Sequence, residues 1–242
     1  MTTRTIHSAL LGVLMSLTVL VPQALAVPTL AVGEKNEAFF TNVENLFDAD
    51  GAFKAPTVEG LAVGDHLVGL FNVQNINVLG STTWFSGASD QLTGIFAQRI
   101  ENIIDHDPAG PGGLHLVFGP AQVTTFCGPG GVDCFSIAGK LAGDEMLALY
   151  TQSGPGTTTF TSGGSMVTDV ANATDGSLWL TLGYEPGPDG IYGTIDDTGY
   201  NYGHPLTDPT GQPFGEAFGG LNAIQNNTGN PFLKINDPFE FE

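Results

Sequence analysis

The chain has 242 residues, with Lys+Arg 6 against Asp+Glu 25 and a formal charge of −19 at pH 7. Cations scattered at Arg4, Lys35, Lys54, Arg99, Lys140 and Lys234 form no basic footprint for nucleic acid and none for anionic lipid. A hydrophobic fraction of 41% is that of an ordinary globular chain, which excludes an acidic disordered tail.

Residues 1–26 read as a secretory signal peptide. Arg4 supplies the positive n-region, Ala9 to Val21 the apolar h-region, and Ala24-Leu25-Ala26 the cleavage site. The apolar run is about 13 residues, short of the roughly 20 that a transmembrane span needs. Processing removes one cation and no acid, so the mature chain from Val27 is still more acidic. No later segment is apolar enough to cross a bilayer, and residues 27–242 suit one exported domain.

Gly 34 and Pro 15 punctuate that domain at short intervals and leave little room for long helices. The expected fold class is mainly β: an antiparallel, β-sandwich-like single domain with one or two short helices. In chain order, Asn36 to Phe47 predicts a helix, because Phe39, Phe40, Val43, Leu46 and Phe47 recur at helical spacings before the stop Asp48-Ala49-Asp50-Gly51. His66 to Leu79 predicts a strand. Leu92 to Ile104 does too, although Leu92, Phe96, Ile100 and Ile104 also satisfy a helical i, i+4 stripe. Leu114 to Phe118, Gln122 to Phe126, Glu145 to Tyr150 and Leu178 to Tyr184 are further strands. Ser165 to Ala173 predicts a helix, with Ser165 as cap and Met166, Val167 and Val170 toward the core. Residues 185–213 turn to Gly, Pro, Asp, Tyr and Thr and predict a long excursion loop, after which Phe214 to Glu242 rejoins the sheet.

The two cysteines, Cys127 and Cys134, flank a Gly/Pro loop. In an oxidising compartment such a pair predicts a disulfide, and neither C-x-x-C spacing nor a neighbouring histidine points to redox or metal chemistry. The cofactor that the composition admits is Ca²⁺. Asp189, Asp196 and Asp197 lie on a Gly-punctuated loop of the kind that offers oxygen ligands, without the spacing of an EF-hand. Asp48 and Asp50 with Glu59 match three EF-hand positions, but Ala52, Phe53 and Pro56 occupy others, which reads as coincidence.

Catalytic motifs are missing: there is no G-x-S-x-G elbow, H-E-x-x-H, Walker loop or dinucleotide fingerprint. No catalytic residue is assigned. Asp105-His106-Asp107 precedes a Pro/Gly run and reads as a polar turn, and His115 alternates with leucines toward solvent. Asp144 and Glu145, adjacent on a strand, would face opposite sides of a sheet. Trp84 and Tyr192 are the candidates for ligand contact, whereas Trp179, inside LWLTL, suits core packing.

Ala38-Phe39-Phe40-Thr41-Asn42-Val43-Glu44-Asn45-Leu46-Phe47-Asp48, Leu61-Ala62-Val63-Gly64-Asp65-His66-Leu67-Val68-Gly69, Ala173-Thr174-Asp175-Gly176 and Asn236-Asp237-Pro238 together resemble exported Gram-negative surface proteins of the PEP-CTERM class. The resemblance implies a secreted or outer-surface protein associated with biofilm and extracellular polysaccharide. The Pro-Glu-Pro motif, apolar helix and basic end that define the class do not occur here, so the expectation is a truncated chain or a relative without the sorting tail. The functional expectation is a secreted, non-enzymatic cell-surface or matrix protein acting by adhesion or scaffold contacts, with extracellular polysaccharide or other surface proteins as partners. The alternative is a polysaccharide-acting hydrolase or a carbohydrate-binding module, with a cleft of acids and aromatics including Trp84, Trp179 and Tyr192.

Overall fold

A computed structural model describes residues 28, 30, 36–55, 60–87, 90–105, 114–153, 159–195, 197–207, 213–229 and 238–241. The signal peptide, His106, Asp107 and Asp196 lie outside them. The strands are β1 (Asn36–Phe47), β2 (Phe53–Lys54), β3 (His66–Val78), β4 (Ser81–Phe85), β5 (Asp90–Asp105), β6 (Leu114–Pro120), β7 (Thr125–Phe126), β8 (Phe135–Ser136) and β9 (Glu145–Ser153). Helix α1 (Met166–Ala173) follows, then β10 (Ser177–Gly183), β11 (Tyr200–Thr207), β12 (Pro213–Asn226) and β13 (Pro238–Phe241). The chain is thus the single, mainly β, antiparallel domain that its punctuation implies.

Eleven strands form one sheet in the order β2-β1-β3-β5-β6-β11-β12-β10-β9, with β4 on β3 and β13 on β12. Strand β9 also pairs β5, so a circuit of hydrogen-bonded strands closes on itself. The two longest members are each shared between two neighbours. Residues 90–96 of β5 pair β9 and residues 98–105 pair β6. Likewise β12 meets β11 through residues 213–220 and β10 through residues 222–226.

The circuit wraps one core, in which Phe71, Leu92, Phe96, Ile100, Phe118, Met146, Leu182 and Tyr184 pack together. The opposite face of β1, β3, β5 and β9 is covered by α1 and the β7–β8 hairpin, and buries Phe47, Val68, Leu70, Ile95, Ala97, Phe126 and Phe135. Alternation along β5 divides the residues between the two cores: Leu92, Phe96 and Ile100 face one, Ile95 and Ala97 the other. A spacing of four is a multiple of the strand period, so the apparent helical stripe in this segment is also a strand stripe.

Glycine allows the strands to pack this closely. Gly69 faces Phe96 and Gly94 faces Phe71 across the same ladder, and a Cβ on Gly94 would lie 2.1 Å from the Phe71 ring. Each phenyl ring therefore fills the place of the missing side chain on a glycine of the neighbouring strand, a close approach that any side chain would block.

Three expectations need correcting. Asn36–Phe47 is not a helix but β1, paired to β3 along its whole length. Its apolar residues do not share one buried face: Leu46 and Phe47 are buried, while Phe39, Phe40 and Val43 are exposed. Local spacing lost to the ladder offered by β3, and Phe, Thr and Val all suit a strand. The 185–213 excursion ends early, because β11 returns from Tyr200 to Thr207 to pair β12 and β6. The strand expected over Gln122–Phe126 shrinks to Thr125–Phe126. Helix α1 matches the sequence signal: Thr168 N–H donates to Ser165 Oγ at 3.4 Å and Val170 is buried, although Val167 is exposed.

Candidate functional site

The concave surface with the clearest chemistry lies where the 185–199 loop meets β11 and β12. Tyr200-Asn201-Tyr202 alternates across the strand, so both phenol rings emerge on one face; they stack with centroids 5.9 Å apart and planes 28° apart. Tyr200 opposes Gly220 in the ladder, and a Cβ there would lie 2.4 Å from the Tyr200 ring. The ring thus rests on bare backbone. The two tyrosines, with Thr194, Asp197, Thr198 and Asn222, line a groove of about 470 Å³.

Hydrogen bonds hold the loop above this groove. Asp197 does most of this: Oδ1 accepts from Gly187 N–H at 3.1 Å, and Oδ2 accepts from Gly193 N–H at 2.6 Å and Thr194 N–H at 3.2 Å. Asp189 Oδ1 accepts from Ile191 N–H at 2.9 Å. At the base of the loop, Thr198 N–H donates to the Glu185 carbonyl at 3.2 Å and Glu185 N–H to Thr198 Oγ1 at 3.0 Å. Asn222 Nδ2 donates to the Thr198 carbonyl at 2.8 Å and joins loop to sheet. These are the turn-closing bonds that Asp, Asn and Thr make with nearby backbone.

Of the calcium candidates, Asp189 and Asp197 are therefore bound to loop amides, and Asp196 lies outside the described residues. Among the described residues no cluster of three His, Cys, Asp or Glu is arranged to hold a metal ion. Asp48 acts in the same way at its own turn, with Oδ1 accepting from Asp50 N–H at 3.0 Å and Ala52 N–H at 2.9 Å.

Tyr192, on the same loop but not among the residues that line the groove, is half-buried and edge-on to Tyr184 with centroids 5.1 Å apart. The Tyr184 hydroxyl donates to the Phe118 carbonyl. Burial raises both phenol pKa values, and for Tyr192 the carboxylates of Asp144, Glu101, Asp197 and Glu185 raise it further. Of these acids Glu101 has a direct geometric link to the ring: its side chain and that of Tyr192 both crowd Gly119, at 2.8 and 3.1 Å from where a Cβ would stand. Glu101 is also ion-paired with Arg99 at 2.5 Å, and its Oε1 is buried with no hydrogen-bond partner among the described residues.

The remaining predicted residues lie elsewhere. Trp84 is 6% exposed and packs in the core inside the circuit with Trp179, so neither ring presents a face to solvent. Cys127 and Cys134 form the predicted disulfide, with Cα atoms 3.9 Å apart, closer than the roughly 4.4 Å at the lower end of the usual range. His115 is half-buried. Glu145 is buried on β9 while Asp144, just before that strand, is half-buried; they do not act as a pair. Tyr200 and Tyr202 did not stand out in the sequence, because their segment reads as loop. The legible signal was their own alternation, Tyr-Asn-Tyr; that Tyr200 lies opposite Gly220 and Tyr202 opposite Phe218 comes from the ladder.

Comparison with protein-family models, with curated proteins and with solved structures yields no match to this chain. Among the described residues, no helix is long and apolar enough to cross a membrane.

Proposed function

We propose that this is an exported, non-enzymatic protein of the cell surface or extracellular matrix, associated with biofilm as its resemblance to PEP-CTERM proteins implies, that adheres to extracellular polysaccharide. The observation that carries this reading is the Tyr200/Tyr202 groove. Stacked phenol rings offer the flat apolar faces on which a sugar ring lies, and the uncharged polar side chains of Thr194, Thr198 and Asn222, held in place by their own hydrogen bonds to the loop, border them. An open groove admits the middle of a long polymer. The Asp197 carboxylate that lines it is engaged by three backbone N–H groups, a role in shaping the site.

The test is a polysaccharide and glycan array probed with residues 27–242, unmodified and as Tyr200→Ala/Tyr202→Ala. Loss of the two rings should weaken binding roughly tenfold or more. Equal binding by both proteins would remove the groove from the account, and no binding by either would remove adhesion to glycans. Export is read separately, by whether the N-terminus of the protein recovered outside the cell is Val27.

A second reading, hydrolysis of polysaccharide, draws on Glu101 beside Tyr192. Glycoside cleavage uses two carboxyl groups flanking the scissile bond, and Glu101, whose side chain meets Tyr192 at Gly119 and whose Oε1 is buried without a hydrogen-bond partner among the described residues, is the residue to alter. Release of new reducing ends that disappears in Glu101→Gln would favour hydrolysis over adhesion.

A further inference from the structure

The outer edge of β1 is long and carries exposed apolar residues; Phe40 meets Phe71 edge-on at 5.8 Å, and Thr41 to Val43 share a shallow groove with Phe160 to Ser162. Beyond the short pairing of Leu46 and Phe47 with β2, no described strand pairs this edge from Asn36 to Asn45. Residues 38–44 are all exposed, with Phe39 and Phe40 each at 51% and Val43 at 44%. Edges of this kind are ordinarily guarded by charged residues, above all Lys, by Pro or by a bulge; Asn36–Phe47 contains neither Lys, Arg nor Pro, and its charges are Glu37 and Glu44. Its single irregularity is an extra residue on the β3 side, Gln74, which leaves β1 regular.

The direction of the backbone groups follows from the β1–β2 turn. Asp48 N–H donates to the Ala52 carbonyl on the β2 side at 2.8 Å, so the even-numbered residues of β1 present N–H and C=O outward. Ala38, Phe40, Asn42 and Glu44 therefore carry the free edge groups. In an antiparallel pair between two copies, these residues must face one another. Centring the pair on Thr41 does this: Phe40 opposes Asn42, and Ala38 opposes Glu44. The same register sets Phe39 against Val43, an aromatic and β-branched cross-strand pair. Glu37 faces Asn45, so no acid opposes an acid. Centring on Phe40 would instead set Glu37 against Val43.

We propose that β1 pairs antiparallel with β1 of a second copy of this chain, about a two-fold axis through Thr41, joining two sheets into one continuous sheet through about eight backbone hydrogen bonds. The inference rests on the edge and is independent of the glycan reading.

The experiment uses residues 27–242 with the native disulfide intact. Sedimentation should show a concentration-dependent dimer. Thr41→Cys should cross-link it on air oxidation, since the central non-hydrogen-bonded pair brings Cα atoms to about 4.5 Å. Phe39→Cys, which faces Val43, should not. Asn42→Pro removes an outward N–H and should weaken association at least tenfold while keeping the melting temperature. Thr41→Pro, whose N–H points to β3, should lower that temperature. Monomer at every concentration, or equal cross-linking at positions 39 and 41, overturns the proposal. So does a large loss of stability in Asn42→Pro without a change in association, which would place another segment of the same chain on this edge.

Discussion

Replacing Asp197 with asparagine distinguishes a carboxylate that organises a loop from one that binds a cation. The side chain is half-buried and accepts from Gly187, Gly193 and Thr194 N–H groups, at 3.1, 2.6 and 3.2 Å. A hydrogen bond to a buried charged acceptor contributes about 1.5–3 kcal/mol, and half exposure favours the low end. Asparagine keeps one oxygen and turns an N–H₂ toward donors that need an acceptor, a loss of about 2 kcal/mol in local stability. Such a loss speeds local opening roughly 30-fold, and hydrogen exchange at the three donor amides reads it directly. The melting temperature should move much less, because the loop opens without the sheet. A chelator should leave the melting curve of the unmodified protein in place. Unchanged exchange at Gly187, Gly193 and Thr194 would refute the hydrogen-bond argument. A chelator effect in the unmodified protein that vanishes in Asp197→Asn would make Asp197 a calcium ligand instead.

Other predictions concern the sheet. His66 is buried, with Nδ1 3.2 Å from the Asp48 carbonyl and Nε2 accepting from Gln122 N–H at 3.4 Å, an arrangement that fits the neutral ring. Burial lowers its pKa most; the Arg99 charge adds to that, while the Asp48 carbonyl, Asp65 and Glu101 oppose it. The unfolded chain therefore takes up the proton first, and this stability is complete above about pH 6.5 and declines as pH falls below it. Urea unfolding across that range should show the decline, and His66→Gln should flatten it; an unchanged slope would remove His66 as its source. In Gly94→Ala the new methyl would meet the Phe71 ring at 2.1 Å and the Ala148 carbonyl at 2.6 Å, which should cost about 3 kcal/mol. Gly87→Ala, with open space around it, should be nearly silent. Equal urea midpoints for the two would contradict the packing argument.

The sequence carried the β class because Gly, Pro and Asp interrupt it at strand-length intervals, and it carried α1 because Ser165 is a cap and Val170 turns inside, although Val167, also expected inside, is exposed. It misled at β1, where five apolar residues fit the helical period yet the decisive partner, β3, begins about twenty residues later. It also concealed the groove. Tyr200 and Tyr202 look like loop residues until β12 pairs with them and supplies Gly220 beneath Tyr200, a pairing that no local window contains. Glu145 is similar: its Oε1 accepts from Thr181 Oγ1 at 2.7 Å and Gln225 Nε2 at 2.6 Å, side chains of β10 and β12. Nothing beside Glu145 in sequence indicates that it will be buried. The reach of local reading ended wherever a site was assembled across the ladder.

The placement of charge bears on both proposals. A chain at −19 repels its copies, and that repulsion opposes self-association unless the contact surface is itself nearly neutral. Along β1 the acids are Glu37 and Glu44, and the register centred on Thr41 sets each against an uncharged residue. At about 0.15 M salt, charges more than roughly 8 Å apart are largely screened, so acids in distant turns weigh little on such a pair. The groove follows the same division: Tyr200, Tyr202, Thr194, Thr198 and Asn222 are uncharged, and its carboxylate is bound to backbone N–H groups. An uncharged, hydroxyl-rich polymer suits that surface better than a polyanion. Raising the salt concentration should accordingly strengthen β1 pairing modestly and leave glycan binding nearly unchanged, whereas a glycan interaction that collapses in salt would mean that Asp197 meets a cationic group on the polymer.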